Sequence, residues 1–207
     1  HTYDMSIQLA AESTPGVDEA GYVELLEAGD LTIETDGTAV TLYPRHFPGL
    51  LPFISGVTYG EARASLVERG QQVMVSSSGG ESVGPFEAAI TSSNLPRLIR
   101  VSGNQPSNLL ELKASAPLTL EWKAGTKLTG TITYVELRYS RGKRDLALRC
   151  RVQDDGAFTI PAESMTEVRG RTRLELTHLQ RASFTALGLE QGELRVTVKD
   201  AAELNFK

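Results

Sequence analysis

Apolar and polar residues alternate along most of this chain, and stretches with a helical repeat are scarce. Tyr3, Met5, Ile7 and Leu9 fall on one face, with Thr2, Asp4, Ser6 and Gln8 on the other. Val23 and Leu25, then Leu31 and Ile33, keep the period of two. Between LTIE and AVTLY stands Asp36-Gly37, a pair suited to a type I′ hairpin turn, in which both central residues need a positive φ. Residues 44–60, PRHFPGLLPFISGVTYG, hold three prolines and read as a loop crossing one end of a sheet, because proline has no ladder donor. Residues 61–75 predict two strands turning at Glu68–Gln71, and SSSGGESVGP predicts a flexible surface loop. Phe86, Ala88 and Ile90 end this first series.

A second series begins after SSNLPR, residues 92–97. Leu118, Leu120 and Trp122 share a face, as do Val135, Leu137 and Tyr139. SRGKR, residues 140–144, is a polar hairpin tip. Beyond it Leu146, Leu148, Cys150 and Val152 alternate with Ala147, Arg149, Arg151 and Gln153. Residues 161–170, PAESMTEVRG, predict the one short helix, with proline in its first turn and glycine at its end. In the last strand Leu194, Val196, Val198, Ala202, Leu204 and Phe206 share parity, and Asp200 breaks it, which predicts a bulge or bend. Many short strands with frequent turns predict an all-β protein of two β-sandwich modules, residues 1–95 and 96–207, with at most one short helix.

Composition adds charge to this picture. Residues 1–100 hold 13 acidic and 5 basic residues, net −8, while residues 101–207 hold 13 acidic and 16 basic, net +3. The whole chain is at −5, which weighs against a general nucleic-acid binder. A chain of 207 residues buries enough surface to fold without disulfides or metal. Its single cysteine makes neither an intrachain disulfide nor a thiolate zinc site. No apolar run approaches the roughly 20 residues of a membrane-spanning helix, and no signal-peptide pattern precedes the first strand.

Candidate chemistry is sparse. LRCRVQDDGAFTIP places Asp154 and Asp155 before Gly156, but Ala157, Phe158 and Thr159 offer few of the oxygen ligands a calcium loop needs, so a turn is expected. Adjacent carboxylates also point apart too readily for acid–base catalysis. Cys150 lies on the apolar face of its strand and reads as a buried structural thiol. His1, His46 and His178 lack the spacing of metal ligands, so no metal or cofactor is expected. Two features remain as binding candidates. One is a basic cluster of Arg138, Arg141, Lys143, Arg144, Arg149 and Arg151, in which Arg141, Lys143 and Arg144 at the tip suit an anionic sugar, a phosphorylated headgroup or an acidic protein. The other is the 44–60 loop, with His46, Phe47, Phe53 and Tyr59 as a protein-binding patch or a cover for the core.

PLTLEW, the strand ending in LRCRV, QDDGAFTIPAESM and RLELTHL together resemble the immunoglobulin-like or fibronectin-like β-sandwich of envelope-associated lipoproteins from predatory and gliding bacteria such as myxobacteria. YVELLEAGDLTIE and ERGQQVMVSSSGGESVGPFEAAI resemble the companion module of such proteins. The resemblance implies an exported protein of the periplasm, outer membrane or cell surface, with a lipid anchor upstream of His1. It carries no catalytic residues. The expected role is non-enzymatic, in binding or structural assembly, with another envelope protein or a glycan as partner. The alternative is a carbohydrate-binding or carbohydrate-active module, for which an exposed Trp122 would speak and a buried one would not.

Overall fold

The computed structural model describes residues 6–11, 23–46, 54–59, 71–91, 96–106, 109–125, 130–189 and 191–207. They form an all-β protein, as the alternation predicts. In chain order the strands are β1 (Ser6–Ala11), β2 (Val23–Leu25), β3 (Leu31–Thr35), β4 (Thr38–Leu42), β5 (Pro44–His46), β6 (Ile54–Tyr59), β7 (Gln72–Ser77) and β8 (Phe86–Thr91). They continue as β9 (Arg97–Val101), β10 (Leu110–Leu112), β11 (Leu118–Lys123), β12 (Ile132–Arg141), β13 (Arg144–Val152), β14 (Ala157–Ile160), β15 (Gly170–Phe184) and β16 (Gly192–Phe206). Among the described residues helix is confined to one 3-10 turn, Ala162–Met165, so the expected helix over 161–170 is shorter than its pattern suggested. Gly170 already belongs to β15.

The contacts divide the chain into two units. An N-terminal unit takes residues 7–92 and 181–195; a C-terminal unit takes 1–6, 93–180 and 196–207. Compared with contiguous modules at 1–95 and 96–207, the units differ in residues 1–6, 93–95 and 181–195, the last being the ends of β15 and β16 that flank their connecting turn. A hairpin with two 15-residue strands is long enough to contribute to two cores, and a sequence boundary drawn at one linker cannot show that. The charge asymmetry follows the units. The C-terminal unit carries 16 basic and 12 acidic residues, net +4, and the N-terminal unit 5 basic and 14 acidic, net −9.

In the C-terminal unit, two sheets enclose one core. The larger has the order β16-β15-β12-β13, with β10 parallel to β16, and β1, which follows β16 in the same order, falls almost wholly within the N-terminal unit; the smaller has the order β14-β11-β9. Leu118, Leu120 and Trp122 of β11 and Ile160 of β14 meet Val135 and Leu137 of β12, Leu174 and Leu176 of β15, and Leu204 and Phe206 of β16. The members from β11, β12 and β16 sit at the parity their strand alternation assigned. Met165 and Val168, from the 3-10 turn and the residues after it, are fully buried in the same core. Asp200 breaks the parity of β16 because its carboxylate accepts the Leu98 backbone N–H at 2.8 Å.

The N-terminal unit has an antiparallel sheet of order β4-β3-β7-β8 and a three-stranded sheet of order β2-β6-β5. Asp36 and Gly37 turn β3 into β4 with φ of 39° and 78°, the two positive angles expected of them. Leu31, Ile33, Val73, Val75, Phe86, Ala88 and Ile90 are buried, and Phe184 stacks on Phe86 with ring centroids 4.4 Å apart. Residues 44–46 and 54–59, expected as parts of a loop, pair as antiparallel strands β5 and β6. Pro44 is tolerated there because it is the first residue of a strand at the edge of its sheet. The turn expected at 68–71 falls mainly on residues 60–70, outside the described residues.

Candidate functional site

The basic cluster is built by one hairpin. Arg141 and Arg144 face each other across the two-residue turn Gly142-Lys143, and Gly142 takes a φ of 63°. Glycine at the first central position of such a turn matches the type II′ geometry that joins twisted strands. The turn sets the register of β12 against β13, so that Glu136 stands opposite Arg149, Arg138 opposite Ala147, and Tyr134 opposite Arg151. On its other side β12 pairs with β15, placing Glu136 opposite Glu175 and Arg138 opposite Arg173.

Two carboxylates thus lie side by side on the outer face of the sheet, with side chains only 5% and 9% exposed for Glu136 and Glu175. Like charges opposite one another destabilise a sheet unless cations intervene. Here they do. Arg149 donates to one Glu136 oxygen and Arg138 Nε to the other, at 2.5 Å for the latter. Glu175 accepts from Arg173 Nε at 2.9 Å and has Lys199 Nζ at 3.5 Å and Arg138 at 4.0 Å. Arg173 also reaches Glu203 at 3.5 Å, and Arg171 joins Glu203 at 3.4 Å. The aliphatic stems of these cations cover the carboxylates while their heads stay wet, which is how charges become buried on an outer face. Arg149 in addition lies 5.6 Å from the centre of the Tyr134 ring, within cation–π range.

Burial pushes the Glu136 carboxyl up, but the hydrogen bonds and charges of Arg149 and Arg138 together outweigh it and hold the group below the usual carboxylate range. Glu136 is therefore a charge partner rather than a proton donor near neutrality. Because its folded-state value is depressed, its contribution is present above the ordinary glutamate value and is lost as pH falls through the folded value. Melting temperature followed on acidification should drop through and below that range, and Glu136→Gln should flatten the drop while lowering stability at neutral pH.

The structure separates the members of the cluster. Arg138 and Arg149 are held by Glu136, and Arg141 pairs with Glu167 at 2.7 Å, both partners exposed. Lys143, Arg144 and Arg151 are exposed, and among the described residues none of them has an ion-pair partner within 4.0 Å.

The DDG stretch is a turn with a second task. Gly156 takes a φ of 94°, and Asp155 accepts the Ala157 N–H at 3.3 Å. Asp154 points inward instead. One oxygen accepts the Trp122 indole N–H at 2.8 Å, and the other accepts the Gly125 backbone N–H at 2.8 Å. His178, fully buried on β15, brings its Nε2 to 3.6 Å from the same carboxylate. Trp122 is 3% exposed, so it belongs to the core and offers no aromatic platform to a sugar. Among the described residues no group of three or more histidine, cysteine, aspartate or glutamate side chains could hold a metal ion.

Cys150 is half-buried on β13, opposite Val135, and burial pushes its thiol up. A thiol of this kind is mostly unionised and slow. Labelling by a thiol reagent at neutral pH is expected to be at least about tenfold slower in the native protein than in urea. Equal rates would remove the structural assignment.

The second candidate patch is in the N-terminal unit. His46 ends β5 and is exposed, opposite Val57. Phe47 and Phe53 lie outside the described residues. Tyr59 is a structural tie: its hydroxyl accepts the Ala28 N–H at 3.1 Å and donates to the Gly29 carbonyl at 2.8 Å. The SSSGGESVGP stretch, expected to be flexible, is fastened to the same segment. Ser77 Oγ donates to the Ala28 carbonyl, Ser78 N–H to Asp30, and Val83 N–H to Glu27 at 3.1 Å. Clustered serines and glycines suggested mobility, whereas here the small residues let two backbones meet.

No helix among the described residues is long and apolar enough to cross a membrane. Compared with known proteins, the chain matches no family model and no curated protein.

Proposed function

We propose that this chain is a non-enzymatic, exported protein of a bacterial envelope or cell surface that binds another envelope protein, in a recruiting or assembly role. The location rests on the resemblance of PLTLEW, LRCRV and QDDGAFTIPAESM to envelope lipoproteins. The binding role rests on one observation above all: the buried acids are consumed by structural partners, while Lys143, Arg144 and Arg151, exposed on one strand and its turn, have no ion-pair partner among the described residues. Unneutralised cations on a surface attract a partner of opposite charge and speed its encounter. The buried Trp122 weighs against the carbohydrate-active alternative.

Fractionation of the producing bacterium, with protease treatment of intact cells, tests the location. The protein is expected with the envelope; recovery in the cytosol overturns that part. Incubation of the purified chain with envelope polysaccharides tests the role. Release of reducing sugar would overturn the non-enzymatic assignment.

A further inference from the structure

We infer that β13 is a docking edge for an extended acidic segment of a partner protein, which adds to the sheet as a further strand. This rests on the binding reading above and specifies its surface and its ligand.

Three observations converge on β13. It is the last strand in the order β1-β16-β15-β12-β13, and among the described residues it pairs only with β12. The two-residue turn makes Arg141 and Arg144 a hydrogen-bonded pair, and such pairs then alternate along an antiparallel ladder. The N–H and C=O groups of Asp145, Ala147, Arg149 and Arg151 consequently point away from β12, toward an incoming strand. At nine residues, β13 offers a longer ladder than the average strand of a globular protein.

The two faces of β13 specify what would bind. Its outer face presents Ala147, Arg149 and Arg151, all exposed. Its inner row of Leu146, Leu148, Cys150 and Val152 is only half-buried, and Leu148 and Val152 pack on the margin of the core. A matching strand therefore carries acidic residues on one face, opposite Arg149 and Arg151, and apolar residues between them that extend the Leu148–Cys150 row. Such an alternation is also the condition for a strand to lie flat on a sheet edge.

Charge selects this occupant over a second copy. Residues 143–152 hold four basic residues and one acid, a net charge of +3. Pairing two copies of β13 doubles that charge, whereas an acidic strand neutralises it. Cationic side chains on an edge also deter indiscriminate pairing with neutral strands, so the same residues act as a filter.

The experiment titrates the full chain with a short peptide of alternating glutamate and valine. Three comparison peptides accompany it: one of the same composition with the glutamates clustered, one N-methylated at every second residue, and one with lysine for glutamate. The proposal expects saturable binding of the alternating peptide, weakened by added salt. It expects at least about tenfold weaker binding for each comparison peptide. It also expects the bound peptide to slow labelling of Cys150 at least about threefold, since the thiol sits on the strand being covered. On the protein side, Arg151→Glu should weaken binding at least about tenfold without touching an existing ion pair. Ala147→Pro should do the same by removing an outward N–H. The peptide series does not depend on either variant folding.

Equal binding of the N-methylated and unmodified peptides would reduce the edge to a patch of charge and overturn the proposal. No binding of the alternating peptide would do so too. Self-association of the chain that Arg151→Glu abolishes would assign the edge to a second copy instead. These failures are distinct from failure of the wider reading. Envelope location with cross-linking to a partner through another surface retains the function and rejects the edge, while a cytosolic protein that still binds the alternating peptide does the reverse.

Discussion

Replacing Asp154 by alanine is expected to lower the unfolding free energy by about 2–4 kcal/mol, since hydrogen bonds to charged groups contribute about 1.5–3 kcal/mol each and orphaned buried donors add desolvation cost. The carboxylate receives the Trp122 indole N–H and the Gly125 N–H at once. With Trp122 only 3% exposed, water cannot readily replace the lost acceptor. Asp154→Asn should cost less, because one carbonyl oxygen still accepts while the new NH2 faces a donor. Trp122 is the only tryptophan in the chain, so its fluorescence reports this site without interference. Urea melts followed at the tryptophan should show the order wild type, Asn, Ala. Alanine at wild-type stability would mean that the anchor contributes nothing and that Asp154 is an ordinary turn residue.

The second large effect is expected at Gly29. This residue has a φ of 70°, and a Cβ placed on it would overlap the carbonyl oxygen of Gly79. Left-handed backbone costs a non-glycine residue roughly 1–2 kcal/mol. Overlap with main chain adds more, because a carbonyl cannot rotate away like a side-chain tip. Gly29→Ala should therefore cost about 3 kcal/mol or more in a thermal or urea melt. Gly37→Ala is the control. It also has a positive φ, 78°, but nothing lies within 4 Å of its added Cβ, so only the backbone penalty of roughly 1 kcal/mol applies. Equal losses at the two glycines would show that close approach of the 27–30 and 77–84 segments is not what Gly29 provides.

The Asp154 anchor also marks how far local reasoning reaches. QDDGAFTIP reads correctly as a turn, because glycine after two aspartates and the resumed alternation of Phe158 and Ile160 are local signals. The destination of the Asp154 side chain is not local, for it meets an indole 32 residues earlier in the chain. The basic cluster behaves in the same way. Its tip was legible in SRGKR, but which of its cations are held depends on Glu136 and Glu175, which reach Arg138 and Arg149 only through the register of β12, β13 and β15, and on Glu167, which pairs with Arg141. The 44–60 stretch went the other way. Its prolines argued for a loop, yet Pro44 begins an edge strand, where the missing donor costs no ladder bond.

What the sequence determined alone is the class of structure, the inward faces of β3, β8, β11 and β12, and the tight turns at Asp36-Gly37 and within SRGKR. Period-two burial and the positive-φ demand of Asp36-Gly37 and Gly142 are short-range constraints, acting on a few neighbouring residues. Only the tertiary structure decided which strand lies at an edge, which carboxylates are neutralised and by which arginines, and where residues 181–195 belong. Those outcomes depend on sheet order and on pairing between distant segments, for which a one-residue slip in register would exchange every partner.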